Sequence, residues 1–232
     1  MPTSPHPLHP LRHVFVALWG LAFLAFHLPW TTHPTAAFTQ NGFDLAEQIG
    51  IHPVIQTESP PLLSAGYLRS VSVVVAFGLA LVALLYHDLR LRWVLRGLAV
   101  LVALRNIPPQ SAFRNPGSIP DEAYLSQLTL LTLLAGVLVL LTLPQPFQKV
   151  LCSGLAWVLM GLCVLGIILP MAGLNTALWL LEEIGLNIEM GGGGVLYGLA
   201  LAGIAGLTLL RGGRVARSQQ SRRDRVPGKT AI

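Results

Sequence analysis

The chain has 232 residues, of which 53% are hydrophobic and 11% charged. Water-soluble domains carry roughly 25% charged residues, so this composition excludes a water-facing globule of this size. The net charge of +5 is gathered in a few places with no aromatic residues among the arginines, and so does not point to nucleic acid.

Residues 1–12 carry Pro2, Pro5, Pro7 and Pro10 and are expected to be disordered. A membrane-spanning helix needs about 20 mostly apolar residues. The first such run covers 13–30. Arg12 ahead of it and Thr35-Ala36-Ala37 after it imitate a cleaved signal peptide, but Val14 to Trp30 is longer than a usual signal core, so a retained span is expected. Further spans are read at 69–87, 89–106, 124–143, 150–171 and 193–210. The third is the weakest, because Arg96 lies inside it. Arginine stems can reach an interface from near a helix end, so Arg90, Arg92 and Arg96 are compatible with crossing. Residues 211–232 carry seven Lys or Arg residues (Arg211, Arg214, Arg217, Arg222, Arg223, Arg225, Lys229) against Asp224, have no apolar face, and are expected to be a disordered tail.

Charge sets the orientation, because cytoplasmic loops collect Lys and Arg. The turn at 87–96 is basic, Lys149 lies in the next loop of the same parity, and the tail is basic. The loop 31–68 has Asp44, Glu47 and Glu58 with no Lys or Arg, and the loop 172–192 has Glu182, Glu183 and Glu189 with none. The expected fold is thus an all-α, polytopic transmembrane bundle of six spans with both termini cytoplasmic, in a cell membrane of the cytoplasmic (inner) type. Without the third span the basic tail falls outside.

The two outer loops share a pattern. Leu45-Ala46-Glu47-Gln48-Ile49-Gly50-Ile51-His52 resembles Leu180-Leu181-Glu182-Glu183-Ile184-Gly185-Leu186-Asn187, and each follows a span ending in Leu-Pro. Short interfacial helices are expected near 44–50 and 177–185, each ended by glycine. A duplication of a helix–loop–helix unit would relate spans one and two to spans five and six, as in transporters built from parallel repeats. The plainer alternative is two interface helices of similar composition. Gly191 to Gly194 read as a flexible lead-in to span six. Within that span Gly194, Gly198, Ala202 and Gly206 recur every four residues, a stripe of small residues that allows close approach of another helix.

The chemistry-bearing residues are few. His27 and His87 lie at opposite ends of their spans and cannot ligate one haem. His33 and His52 could share a metal with Asp44 or Glu47, but their spacing fits no ligand motif. No metal site and no cofactor are therefore expected. Cys152 and Cys163 lie about 16 Å apart along one helix and cannot form a disulfide within it. Glu182 and Glu183 lack the basic partner that paired-glutamate chemistry needs. No span carries a carboxylate at mid-depth, which argues against a proton-coupled pump. Asp44, Glu47, His52, Glu182 and Glu183 remain as outer-loop candidates, and no catalytic set is assigned. The partners expected are the lipid bilayer, with the basic tail on the anionic inner leaflet, and a membrane-protein partner or a second copy through the small-residue stripe. The leading reading is a non-enzymatic subunit or scaffold of a membrane assembly. The second is a transporter or permease component, and the third an outer-face enzyme handling lipid.

Overall fold

The computed structural model describes residues 8–34, 39–59, 62–107, 131–132, 134–136, 145–186 and 188–224. It is mostly helical. Among the described residues, four helical stretches are long and apolar enough to cross a membrane: His9–His27, Leu63–Leu85, Gly154–Glu183 and Gly192–Arg211. The chain is a membrane protein by that criterion. The fourth expected span, 124–143, lies largely outside the described residues.

Helix α1 runs over Arg12–His27. A 3₁₀ turn at His9–Leu11 precedes it, and Leu8 is fully buried. The disorder expected for 1–12 thus does not extend to residues 8–12: Pro10 sits at the start of the turn, where its missing N–H costs nothing, and Leu8 has a core to enter. Phe15, Trp19, Ala22 and Phe26 are the buried face of α1, spaced four, three and four residues apart. Strand β1 (Pro29–Thr32) follows, then β2 (Gln40–Asn41), helix α2 (Gly42–Gly50) and the one-turn helix α3 (Pro53–Gln56). Asn41 starts α2, its Oδ1 accepting from the N–H groups of Phe43 and Asp44 at 2.9 and 3.0 Å.

Helix α4 (Leu63–Val82) begins six residues before the expected span, which opened at Arg69. The start is set by Glu58, whose carboxylate accepts from Ser64 N–H at 2.9 Å and Ser64 Oγ–H at 2.5 Å. Leu62 takes a left-handed φ of 56° just ahead of the helix. A 3₁₀ turn at Ala83–Leu85 leads to Asp88, which caps α5 (Leu89–Leu104); the helix falls at the expected third span, but it is not among the stretches long and apolar enough to cross. Helix α6 is Gln145–Glu183, strand β3 is Glu189–Met190, and α7 is Gly192–Asp224.

Two expectations about helix ends are corrected here. No separate short helix forms over 177–185: α6 passes through Pro170 and continues to Glu183. A proline deletes one N–H and is tolerated in membrane helices where neighbours re-satisfy the backbone. Helix α7 likewise continues past Leu210 to Asp224, into the expected disordered tail, since no residue before Pro227 forbids the helical backbone and Ala, Arg and Gln favour it. The fold is also not purely α-helical. A three-stranded antiparallel sheet of order β2-β1-β3 pairs Thr31 with Met190 and Thr32 with Glu189. The two loops that share an acidic character therefore lie on one face, called here the loop face. The opposite end, with the α1 start and the α4–α5 turn, is the turn face.

The sheet explains the glycine run. A Cβ on Gly191 would lie 2.3 Å from the Pro29 carbonyl oxygen, and one on Gly193 would lie 2.7 Å from that of Leu28. Gly191 N–H donates to Trp30 O at 2.7 Å. These glycines seat α7 against β1 rather than making a flexible lead-in. Trp30 fills the angle between them, donating Nε1–H to Ala25 O at 3.0 Å and packing 5.6 Å from the Tyr197 ring.

Helix α4 is the centre of the bundle, buried on most of its surface. It packs on α1, α2, α5 and α6. Gly78 lies beneath the Trp19 indole, where an added Cβ would sit 2.1 Å from the ring. Gly166 and Gly173 on α6 lie similarly close to Val74 and to Ser64 and Leu68 on α4. The two helices are antiparallel.

Candidate functional site at the loop face

The polar side chains of the loop face attach α2 to the bundle. Arg69 projects from the second turn of α4 and is buried, and its Nη2 donates to Glu47 Oε1 at 2.5 Å. Four residues before Glu47 on the same face of α2, the Phe43 ring lies 4.9 Å from the Arg105 guanidinium at the end of α5. Arg105 also contacts His27 at the end of α1, while His27 Nδ1 lies 2.9 Å from Phe23 O. One turn below Arg69, Ser72 Oγ–H donates to Arg69 O at 2.8 Å and accepts from Asn106 Nδ2–H at 2.7 Å. Four helices thus meet in one polar layer. Ionisable groups at such depth are retained where they pair, as these do.

Beside this layer is a cavity of about 270 Å³. Ile49, Ile51, His52 and Pro53 form one wall and Leu180, Leu181 and Ile184 the other. The two segments with similar sequence therefore face each other across one apolar groove. Gln48 is at its edge, with its side-chain oxygen buried and without a hydrogen-bond partner among the described residues. The groove is open: Ile51 is 75% and Ile184 58% exposed.

The outer-loop candidates each have a local role or an exposed position. Asp44 accepts from Asn41 Nδ2–H at 2.7 Å in the first turn of α2. Glu47 is paired to Arg69. His52 caps α3, its Nδ1 accepting from Val54 N–H at 3.3 Å. Glu182 and Glu183 are exposed at the end of α6. No group of three metal-ligating side chains occurs among the described residues. The similarity of the two segments does not extend to conformation. Gly185 ends α6 with φ +83°, as expected of a terminating glycine, whereas Gly50 is the last helical residue of α2 with no left-handed φ.

Compared with protein-family models, characterised proteins and solved structures, the chain shows no significant match.

The small-residue stripe of α7 divides. Gly194 is buried against Leu174 and Trp30. Gly198 and Gly206 would meet nothing within 4 Å on gaining a Cβ, and Ala202 is exposed. The face of α7 used within the chain is instead Tyr197, Leu201, Ile204 and Thr208, all buried. Among the described residues, the lower stripe thus faces away from the chain's own helices.

Sequence reasoning missed Arg69 and Arg105 as organisers of the loop face. The signal was present: Arg69 is a lone basic residue in an acidic loop and Arg105 ends a span otherwise basic at its start. Both fell at span boundaries, where arginine is usually read as an interface anchor.

Proposed function

We propose that this chain is a six-span protein of a cytoplasmic-type membrane, with both termini inside, acting as a non-enzymatic subunit of a membrane assembly. The placement of α5 supports the count. Its first residues follow the turn beside His13, and its last, Arg105, lies beside His27, so it covers the depth of α1 although it is only 16 residues long. Helix α6 ends at the loop face and runs antiparallel to α4, so its start belongs at the turn face. On this reading Ile107 and Gln145 belong to opposite faces, which supports a span at 124–143 between them.

The observation that carries the assembly reading is the stripe of Gly198, Ala202 and Gly206, uncovered among the described residues and opposite the buried face of the same helix. Helices associate in lipid through small residues that let backbones approach, and this surface has that shape. The open apolar groove at the loop face is what a scaffold reading expects. The transporter reading has less support, because a repeat should match in conformation, yet one segment is a separate helix after a strand and the other ends a long helix. The enzyme reading has less support because Asp44, Glu47 and His52 are engaged in capping and ion-pair contacts that account for them.

The test is cross-linking in membranes with Ala202→Cys and, as control, Leu201→Cys on the packed face. The reading expects a cross-linked second polypeptide from position 202 and none from 201. No adduct from 202 beyond that from 201, with both variants inserted at normal levels, would contradict it.

A further inference from the structure

We propose that the turn face carries a binding site for the phosphate of an anionic phospholipid, built from His9, Arg12, His13, His87 and Arg92 around Tyr86. Three elements bring these groups together: the 3₁₀ turn, the start of α1 and the α4–α5 turn. Arg12 Nη1–H donates to His9 Nε2 at 2.5 Å and its Nε–H to His13 Nε2 at 3.2 Å. The same guanidinium lies 5.1 Å from the Tyr86 ring centroid, and Tyr86 Oη is 3.1 Å from His13 Nδ1. The His87 ring is 5.0 Å from that of His9. Arg92 donates from Nη2 to Tyr86 O at 2.8 Å, and its Nε is buried with no hydrogen-bond partner among the described residues.

Among the described residues this is a concentration of cationic and proton-donating groups without matching acid. The carboxylate of the turn is Asp88, whose Oδ1 accepts from Arg90 N–H at 2.9 Å to start α5. Arg12 is satisfied by two imidazoles, which can accept only while neutral, and Arg92 by a backbone carbonyl. Such a set is stabilised by an anion, and a phosphate offers several acceptor oxygens to forked guanidinium donors.

The surroundings identify the source. Directly next to the cluster, Val14, Leu89, Leu91, Trp93 and Val94 are exposed apolar residues. Trp93 carries the Arg96 guanidinium 5.2 Å from its ring. Exposed tryptophan with snorkelling arginine at the end of apolar helices marks the headgroup level. At that depth the abundant anion is the lipid phosphate, and the apolar rim receives its acyl chains. The site's residues lie outside the C-terminal basic segment in sequence, and the proposal does not depend on the assembly reading.

The test is native mass spectrometry of the delipidated full chain with dioctanoyl phosphatidic acid, with phosphatidylcholine of the same chains, and with inorganic phosphate. Phosphatidic acid should bind clearly more tightly than phosphatidylcholine. Arg12→Gln with Arg92→Gln should weaken it roughly thirtyfold, from roughly fivefold per arginine at a membrane surface. His87→Asp, at an exposed position that leaves the core intact, should weaken it as well and decides the matter if the double variant does not fold. Arg222→Gln with Arg223→Gln and Arg225→Gln should leave this binding unchanged. Equal binding of the two lipids, unchanged affinity in His87→Asp, or a loss reproduced by the tail variant would each overturn the proposal. Displacement of the lipid by inorganic phosphate at matched concentration would assign the site to a soluble phosphate and overturn the lipid assignment.

Discussion

Glu47 on a nine-residue surface helix reaches Arg69 in the second turn of the central helix, with Oε1 2.5 Å from Nη2. The two ends of this pair differ. The arginine side chain is 10% exposed and the glutamate side chain 49%. Removing the carboxylate deprives a buried guanidinium of its counter-charge, whereas removing the arginine leaves a carboxylate that water can solvate. Glu47→Ala should therefore cost about 2 kcal/mol, and Arg69→Met clearly less, since the first removes a charge partner from the buried member of the pair and the second from the solvated one. Thermal unfolding of both variants in the same detergent checks the order.

Trp19 and Gly78 give a steric prediction. With the indole ring 2.1 Å from where a Cβ would be, Gly78→Ala requires the tryptophan or its helix to move. Overpacking of this kind costs about 1–3 kcal/mol. Gly97→Ala in α5 meets nothing within 4 Å and should be neutral or stabilising, by up to about 1 kcal/mol from helix propensity. Thermal unfolding midpoints for the two variants should move in opposite directions or differ clearly in size.

Within the glycine run, Gly191→Ala and Gly193→Ala place a methyl group against the backbone of β1, whereas Gly192→Ala has open space. The first two should loosen the contact between the loops and speed proteolysis at 33–41, and the third should not. Equal cleavage rates for all three would show that the run is a flexible lead-in after all.

Asn106 and Ser72 tie α5 to α4 through a buried hydrogen bond of 2.7 Å. A double-mutant cycle of Asn106→Leu and Ser72→Ala should give a coupling energy of about 0.5–1.5 kcal/mol, the range found for side-chain bonds between helices in lipid. A coupling near zero would place α5 more loosely on the bundle than the structure does.

What the sequence revealed follows from which physics acts locally. Spans one, two, five and six were legible because apolar runs of that length have few other uses; residues 89–104 read as a helix, but one too short and too basic to stand as a span on composition. The start of α4 was hidden because the chain before Arg69 mixes Ser64, Gly66 and Tyr67 with leucine, and the helix begins there only because Glu58 supplies a carboxylate from outside it. Pro170 reads as a stop in a helix alone, while the packed helix carries it. The likeness of Leu45–Gly50 to Leu180–Gly185 pointed to two similar helices, yet what it marks is two walls of one groove. Contacts such as Arg69 with Glu47, 22 residues apart, depend on tertiary placement that no local pattern encodes.

The central claim, that the chain crosses the bilayer six times with the loop face outside, is tested most directly by cysteine accessibility in intact cells. Single cysteines at Asp44, Ile107 and Glu189 in a background with Cys152 and Cys163 replaced should react with a membrane-impermeant maleimide added outside. Cysteines at Asp88 and Ser218 should react only after permeabilisation. If positions 88 and 107 reacted from the same side, α5 would not cross, and the six-span account would be contradicted.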